Sequence, residues 1–335
     1  MPSYAAVLAL LLLAACSPET LARQEAPDAG PVAGEDATVA LFAGEHITGG
    51  HREAERVVAL PEAGAFSKVT LTWTLSCPPN GCDPWDRIAE LHLVQDDGTT
   101  IEIARVITPY GVGGTWTTDV TALQPVLKGS RRFRLFLDTW VDGWLNDVTL
   151  TYEGGVPSPL PVEVTTLWRV PHAVYGDPDR DILAAFPERA IEREEGESLQ
   201  VRVLMTGHGQ GNRNNCAEFC PRTHSVLVGG DEQLIDLWRG DCDQNPVSKQ
   251  KGNWQFPRAG WCPGADVIPW TADVTGSVPA GQSTPISLYF EEYVNTCRPG
   301  VSVCQGCAGG GDCNYNDSGH TEPFYDVSVQ LIRSR

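Results

Sequence analysis

Four short stretches of this sequence concentrate the residue types that can move protons or grip a polar ligand. The first, Cys77-Pro78-Pro79-Asn80-Gly81-Cys82-Asp83-Pro84-Trp85-Asp86-Arg87, is a tight turn between two cysteines that leads into an acid and a base. If the chain continues as a strand, alternation puts Asp86 on one face with Ile88, Glu90 and His92, and Arg87 on the other with Ala89, Leu91 and Leu93. Asp86 and Arg87 therefore need not pair. Alone, Asp86 reads as a solvated acid at a strand end; its company makes it a candidate. The second stretch, Thr206-Gly207-His208-Gly209-Gln210-Gly211 through Cys216-Ala217-Glu218-Phe219-Cys220, is a glycine-rich loop running into a cysteine pair that brackets one carboxylate. A loop held that firmly is a good platform for a functional group. The third, Arg258-Ala259-Gly260-Trp261-Cys262, sets a cation and an indole beside a cysteine that could pair with Cys242. In the fourth, Phe136-Leu137-Asp138-Thr139-Trp140, Asp138 and Trp140 face one side of a strand. Carboxylates in a partly dry cleft can share the acid and base work of a hydrolysis, and indoles are what sugar rings stack on.

Other chemistries fit poorly. The glycines after Thr206 lack dinucleotide-binding spacing, and there is no Gly-x-Ser-x-Gly elbow or His-Glu-x-x-His helix. Zinc on Cys216, Cys220 and His224 competes with a disulfide, but an exported chain favours the disulfide. Asp312 to Asn316 starts like a calcium loop, yet Asp317 stands where glycine is required and Pro323 where the last acid should be.

The elements that must carry these residues read as strands. Val69, Leu71, Trp73 and Leu75 alternate with polar residues, as do Phe133, Leu135 and Leu137; Leu199, Val201, Val203 and Met205; Ile286, Leu288 and Phe290; and Val327, Val329 and Leu331. These are expected to be half-buried strands of antiparallel sandwiches, with a short helix only in the stretch from Asp181 to Ala190. Trp116-Thr117-Thr118-Asp119-Val120-Thr121 returns as Trp270-Thr271-Ala272-Asp273-Val274-Thr275, and Asp147-Val148-Thr149-Leu150 as Asp326-Val327-Ser328-Val329. Two domains of one plan explain the echo. The interval between the echoed segments is longer in the second half, by an insert holding Cys297, Cys304, Cys307 and Cys313; disulfides are expected there, with zinc as the alternative. Gly154 to Pro159 is the natural boundary.

The N-terminus reads as an address. Ala5 to Ala15 is apolar but short for a membrane span, and small residues precede Cys16, the pattern of a bacterial lipoprotein signal whose Cys16 is lipidated. The expected layout is a signal over 1–15, a flexible tether over 16–42, a first domain over 43–155, and a second over 156–335 with its insert around 295–320. Export makes disulfides the default for the ten remaining cysteines. The expected location is the bacterial cell envelope, on the outer membrane. With 43 acidic against 24 basic side chains the net charge is −19, which repels phosphate backbones and excludes nucleic acid as a partner.

Taken together, Cys77 to Arg87, Arg105-Val106-Ile107-Thr108-Pro109-Tyr110, Cys216 to Cys220 with Arg222-Thr223-His224, and Gly252-Asn253-Trp254 through Gly264 resemble the peptide-N-glycosidase F family, in its order and over most of the mature chain. The resemblance implies two side-by-side antiparallel jelly rolls and an amidase that cuts between the innermost N-acetylglucosamine of an N-glycan and its Asn, leaving Asp. It implies catalytic roles for Asp86 and Glu218, with Asp138 in place of a third, longer carboxylate. It implies ligand contacts for Arg258 and Trp261; Arg87, Trp140 and His208 are also expected to contact the ligand, with His208 and Gln210 standing where the family has Trp and His. Its disulfides would be Cys77 to Cys82, Cys216 to Cys220 and Cys242 to Cys262. No metal or cofactor is expected; the partners would be N-glycosylated peptides or proteins, met by a monomer on a lipid anchor. The alternative is a non-catalytic glycan- or protein-binding lipoprotein on the same fold. A copper monooxygenase, which shares the paired-sheet plan, is disfavoured because Met205, on an apolar strand face, is the one methionine outside the signal.

Overall fold

The computed structural model describes residues 30–247, 249–297 and 321–335. Their strands, in chain order, are β1 (Ala37–Ile47), β2 (Glu53–Ala59), β3 (Phe66–Ser76), β4 (Ile88–Val94), β5 (Thr100–Ile107), β6 (Gly114–Asp119), β7 (Ser130–Leu137) and β8 (Trp144–Gly154) in the first half. The second half has β9 (Pro161–Val174), β10 (Arg189–Ile191), β11 (Ser198–His208), β12 (Thr223–Val228), β13 (Asp231–Asp236), β14 (Trp238–Arg239), β15 (Arg258–Ala259), β16 (Ala265–Asp266), β17 (Trp270–Asp273), β18 (Thr284–Tyr289) and β19 (Phe324–Ser334).

The alternation of apolar residues builds two antiparallel sandwiches. In the first, a sheet ordered β1-β8-β3-β6 faces one ordered β16-β5-β4-β7-β2, and Leu71, Trp73, Val148 and Leu150 meet Leu91, Ile103, Phe133 and Leu135 between them. In the second, β17-β11-β19-β9 faces β10-β18-β12-β13 over Val201, Val203, Val327 and Val329 against Val226, Val228 and Ile286. The echoed segments occupy equivalent places. β6 and β17 are edge strands, and after each an Asp (Asp119, Asp273) accepts from the backbone of a Thr two residues on. The hydroxyls of Thr121 and Thr275 in turn accept from Val69 and Leu199, which joins each turn to the central strand of its sheet.

Three expectations need correcting. Strands β11 and β19, expected to be half-buried, are buried on both faces, as are β4 and β5, because the face turned away from each core packs on the other sandwich. Second, the tether does not extend to residue 42. Strand β1 begins at Ala37, pairs with β8, and buries Leu41 and Phe42; the polar composition before it hid the strand. Third, the helix from Asp181 to Ala190 is one 3₁₀ turn, Ile182–Ala185, capped by the Asp181 carboxylate on the Leu183 N–H, after which the chain enters β10. The signal and Cys16 lie outside the described residues, as do Cys304, Cys307 and Cys313; Cys297 is disulfide-bonded.

The surface between the sandwiches is polar at its centre. Arg105, from β5, donates to both oxygens of Glu102 at 2.8 Å and to Asp326 of β19 at 2.7 Å. Arg169, from β9, donates to Asp326 at 2.5 Å and to Glu90 of β4 at 2.7 Å. His92 completes the cluster at 2.9 Å from Glu90. Although burial opposes ionisation of Glu90, the His92 contact and the two arginines hold its carboxyl well below the usual range. Strand β16 adds itself to the first sandwich's sheet, Ala265 opposite Ile107, so the second half of the chain contributes an edge to the first.

Candidate active site

The cleft between the sandwiches has a volume of about 600 Å³ and is lined from both sides, Trp85, Asp86, Arg87, Tyr110, Asp138 and Trp140 facing His208, Glu218, Asn253, Arg258, Trp261 and Phe324. That size suits a small polar ligand with much of its surface covered.

Asp86 sits at the end of the loop between β3 and β4. A disulfide joins Cys77 to Cys82 at the loop's start. Asp83 is fully buried and organises the remainder: its Oδ1 accepts from the Trp85 N–H at 2.9 Å, and its Oδ2 accepts from Arg87 Nε at 2.8 Å and Thr139 Oγ1 at 2.7 Å. Arg87 thus spends its charge on Asp83 and lies over the Trp140 ring, 4.3 Å from its centroid. Tyr110 Oη lies 2.9 Å from Asp86 Oδ2. Burial pushes the Asp86 carboxyl above its ordinary range, against the pull of Arg258.

Glu218 comes from the other sandwich, on the short loop closed by the Cys216–Cys220 disulfide. Its backbone carbonyl accepts from Ala259 at 2.9 Å, its Oε1 accepts from Arg258 Nε at 3.1 Å, and its Oε2 accepts from the Gly209 N–H at 3.2 Å. Burial drives its carboxyl up to about 8, with Arg258 pulling it down and the neighbouring Asp86 pushing it up. Arg258 is itself fully buried, donates to Asn253 Oδ1 and the Phe256 carbonyl at 2.8 Å, and is stacked on Phe219 and Trp261 at 4.9 and 4.8 Å. It is the cation between the two acids. Trp261 donates to the Gly207 carbonyl at 2.8 Å, and the Cys242–Cys262 disulfide anchors the segment that carries it.

His208 stacks between Trp261 and Phe324, at 5.2 and 5.0 Å, with Nε2 2.8 Å from Thr206 Oγ1. Burial pulls its pKa down to about 3, so the ring is a neutral wall.

The Peptide-N-glycosidase F, C terminal family model matches residues 190–290. A curated relative, peptide-N(4)-(N-acetyl-beta-D-glucosaminyl)asparagine amidase F of Elizabethkingia miricola, is 29% identical over 237 residues, 65% of this chain. In these segments and in its fold, the chain is similar to the peptide-N-glycosidase F family. The match spans 66% of the length of that relative. Among solved structures, PNGase F from Flavobacterium meningosepticum superposes with a TM-score of 0.75 at 22% identity, covering 90% of this chain and 96% of its own. PNGF-II gives a TM-score of 0.65 at 15% identity, over 89% of this chain and 64% of its own. At these identities the solved structures show a shared fold.

The structure brings every residue named above as catalytic or ligand-contacting to the one cleft. They differ in what they can touch. Trp140 is more than half exposed at the rim, whereas Arg258 and Trp261 are buried and reach a ligand only through the surfaces they turn to the cleft. Asp138 accepts from Arg52 Nη1 at 3.1 Å, a partner the sequence did not suggest. Asp83 and the pair formed by Tyr110 and Asn253 were also not singled out. The Asp83-Pro84-Trp85 turn was a signal for the first, but Tyr110 and Asn253 meet only through the fold. Among the described residues, the acids close enough together to share a cation are Glu90, Glu102 and Asp326, and each is already bonded to arginine.

Proposed function

We propose that this chain is an amidase that hydrolyses the amide between N-acetylglucosamine and Asn in N-glycosylated peptides or proteins, converting the Asn to Asp without a metal. One observation carries the reading: two half-buried carboxylates, one from each sandwich, stand in a single cleft with one buried arginine between them. Amide hydrolysis needs a water deprotonated as its oxygen attacks the side-chain carbonyl carbon, and a proton delivered to the nitrogen as the C–N bond breaks. Asp86 and Glu218 supply one base and one acid for those two transfers. Arg258, Asp83 and the two short disulfides hold the acids in place before substrate arrives, which is where such a site gains rate. The exposed Trp85 and Trp140 offer apolar rims for sugar rings.

By the same proposal the chain works as a monomer outside the cytoplasm, lipid-anchored at Cys16 to the bacterial envelope. The three disulfides among the described residues suit an oxidising compartment. Incubation with an N-glycosylated peptide, read by mass spectrometry, is expected to show glycan release with Asn converted to Asp, and no release by Asp86→Asn. Intact glycopeptide across a broad pH range, with saturable glycan binding, would replace the amidase by a binding module. A mature N-terminus that is not an acylated Cys16 would remove the anchor.

A further inference from the structure

The Tyr110 hydroxyl has one proton to give and three neighbours, of which Arg258 Nη2, at 3.5 Å, can only donate to it. The hydroxyl lies 2.9 Å from Asp86 Oδ2 and 2.8 Å from Asn253 Oδ1. The orientation of the Asn253 amide is not free, because Arg258 Nη2, which can only donate, lies 2.8 Å from the same Oδ1. Asn253 Oδ1 is therefore an acceptor. With Asp86 ionised, two acceptors would compete for the single proton of Tyr110, leaving one short contact with lone pair against lone pair. With Asp86 protonated, each contact has its proton: Asp86 donates to Tyr110 and Tyr110 donates to Asn253. Burial and the neighbouring Asp86 raise the tyrosine far above neutrality, so it remains a phenol in either case. At Glu218 the pattern is the opposite. Both of its oxygens accept from N–H donors, Arg258 and Gly209, that have no means of accepting in return. The local charges agree. Arg87 is paired with Asp83, so among the described residues Arg258 is the cation shared by Asp86 and Glu218, and two acids facing one cation are neutral when they hold one proton.

We propose that Tyr110 is a positioning residue that places this single proton on Asp86, through an Asp86-to-Tyr110-to-Asn253 chain, and leaves Glu218 as the carboxylate. Resting on the amidase reading, this assigns the two roles: Glu218 takes the proton from the attacking water, and Asp86 delivers its own to the departing nitrogen. After the C–N bond breaks, Glu218 holds the proton and Asp86 is ionised, and transfer between them restores the start.

The test is the titration of Asp86 in the full chain labelled with ¹³C at aspartate side-chain carboxyls, followed by NMR and assigned with Asp86→Asn. Asp86 is expected to be protonated at pH 7. Tyr110→Phe removes the acceptor of its proton and should lower its midpoint by about one pH unit, the worth of one hydrogen bond. Asn253→Ala frees the tyrosine to donate to Asp86 and should lower the midpoint in the same direction, so the test does not depend on one variant folding. An Asp86 that is ionised at pH 7, or a midpoint that rises in Tyr110→Phe as it must if the hydroxyl donates to a carboxylate, overturns the assignment. Where glycan release is measured, the alkaline limb of kcat/KM should fall by the same amount in both variants. A chain that releases no glycan defeats the amidase reading alone, since the NMR titration still locates the proton.

Discussion

Replacing Glu218 by Gln should remove activity and at the same time flatten the dependence of stability on pH. In the folded protein the Glu218 carboxyl is pushed up to about 8 from an ordinary 4.5, chiefly by burial. The rise belongs to the pair it forms with Asp86, which holds one proton across the neutral range. An acid that binds its proton more tightly folded than unfolded stabilises the fold fully below about pH 4.5, and that stabilisation is lost as pH climbs through about 8. The span corresponds to about 5 kcal/mol at 1.36 kcal/mol per pH unit. In Glu218→Gln the second acid is gone, so Asp86 faces Arg258 alone and the pair no longer holds that proton. The Gln amide faces the Arg258 Nε donor, which adds a cost that is the same at every pH, so the slope of the difference is the quantity to read. Urea denaturation of both proteins at pH 5, 7 and 9 should show the variant gaining on the native chain by several kcal/mol over that range, and glycopeptide turnover should fall by about 10² to 10⁴. A stability difference that stays level or narrows as pH rises would refute the claim that the cleft stores a proton.

Arg258→Lys keeps the charge but loses the fork that reaches Glu218, Asn253 and Phe256 together; about 3 kcal/mol of stability and at least tenfold in turnover should go, read by urea denaturation and the glycopeptide assay. Replacing Cys216 and Cys220 by Ala opens a link only four residues long, so unfolding free energy should drop by about 2 kcal/mol, while turnover falls about a hundredfold because Glu218 loses its placement. His208→Phe preserves a flat aromatic between Trp261 and Phe324. Since burial already keeps His208 neutral, with its pKa at about 3, the pH profile of kcat should be unchanged between pH 5 and 8, and the effect should fall on KM.

How far the sequence could be read follows from the range of the interactions involved. Strands such as β3, with Val69, Leu71, Trp73 and Leu75 inward, were legible because alternation is a local property and one face meets water. On β11 the same alternation was read correctly for the core face, but Arg202 and Thr206 on the other face are buried as well, and no local pattern announces a second sandwich. Asp86 and Glu218 stood out through the cysteine turns beside them, which are also local. Tyr110 and Asn253 are separated by 143 residues, and Arg105 and Asp326 by 221; their meaning depends on which loops the fold brings together. The start of β1 was hidden for another reason, since Glu35 and Asp36 continue the acidic, small-residue composition of the stretch before them.

The junction between the sandwiches explains how a site divided between two halves of a chain keeps its geometry. If only apolar surface joined them, small sliding motions would cost little, and acids carried by opposite loops would drift. Instead Arg105 is fixed by Glu102 on its own strand and by Asp326 on the partner sheet, and it also donates to Thr206 Oγ1 at 2.8 Å. Thr206 in turn contacts His208, the wall of the cleft, and three residues after Thr206 the chain reaches Gly209, whose N–H holds Glu218. From the other side, Tyr110 N donates to Gln250 Oε1 at 3.1 Å, tying the loop beside Asp86 to the segment that carries Asn253 and Arg258. Buried charges of this kind add little net stability, because the arginines and acids lose their water when they pair. What they do supply is direction: a shift of one sandwich against the other would leave a buried charge unpaired, whereas an apolar contact would merely repack. A cluster that adds little to the folding energy therefore sets the register in which Asp86 and Glu218 face one another across Arg258.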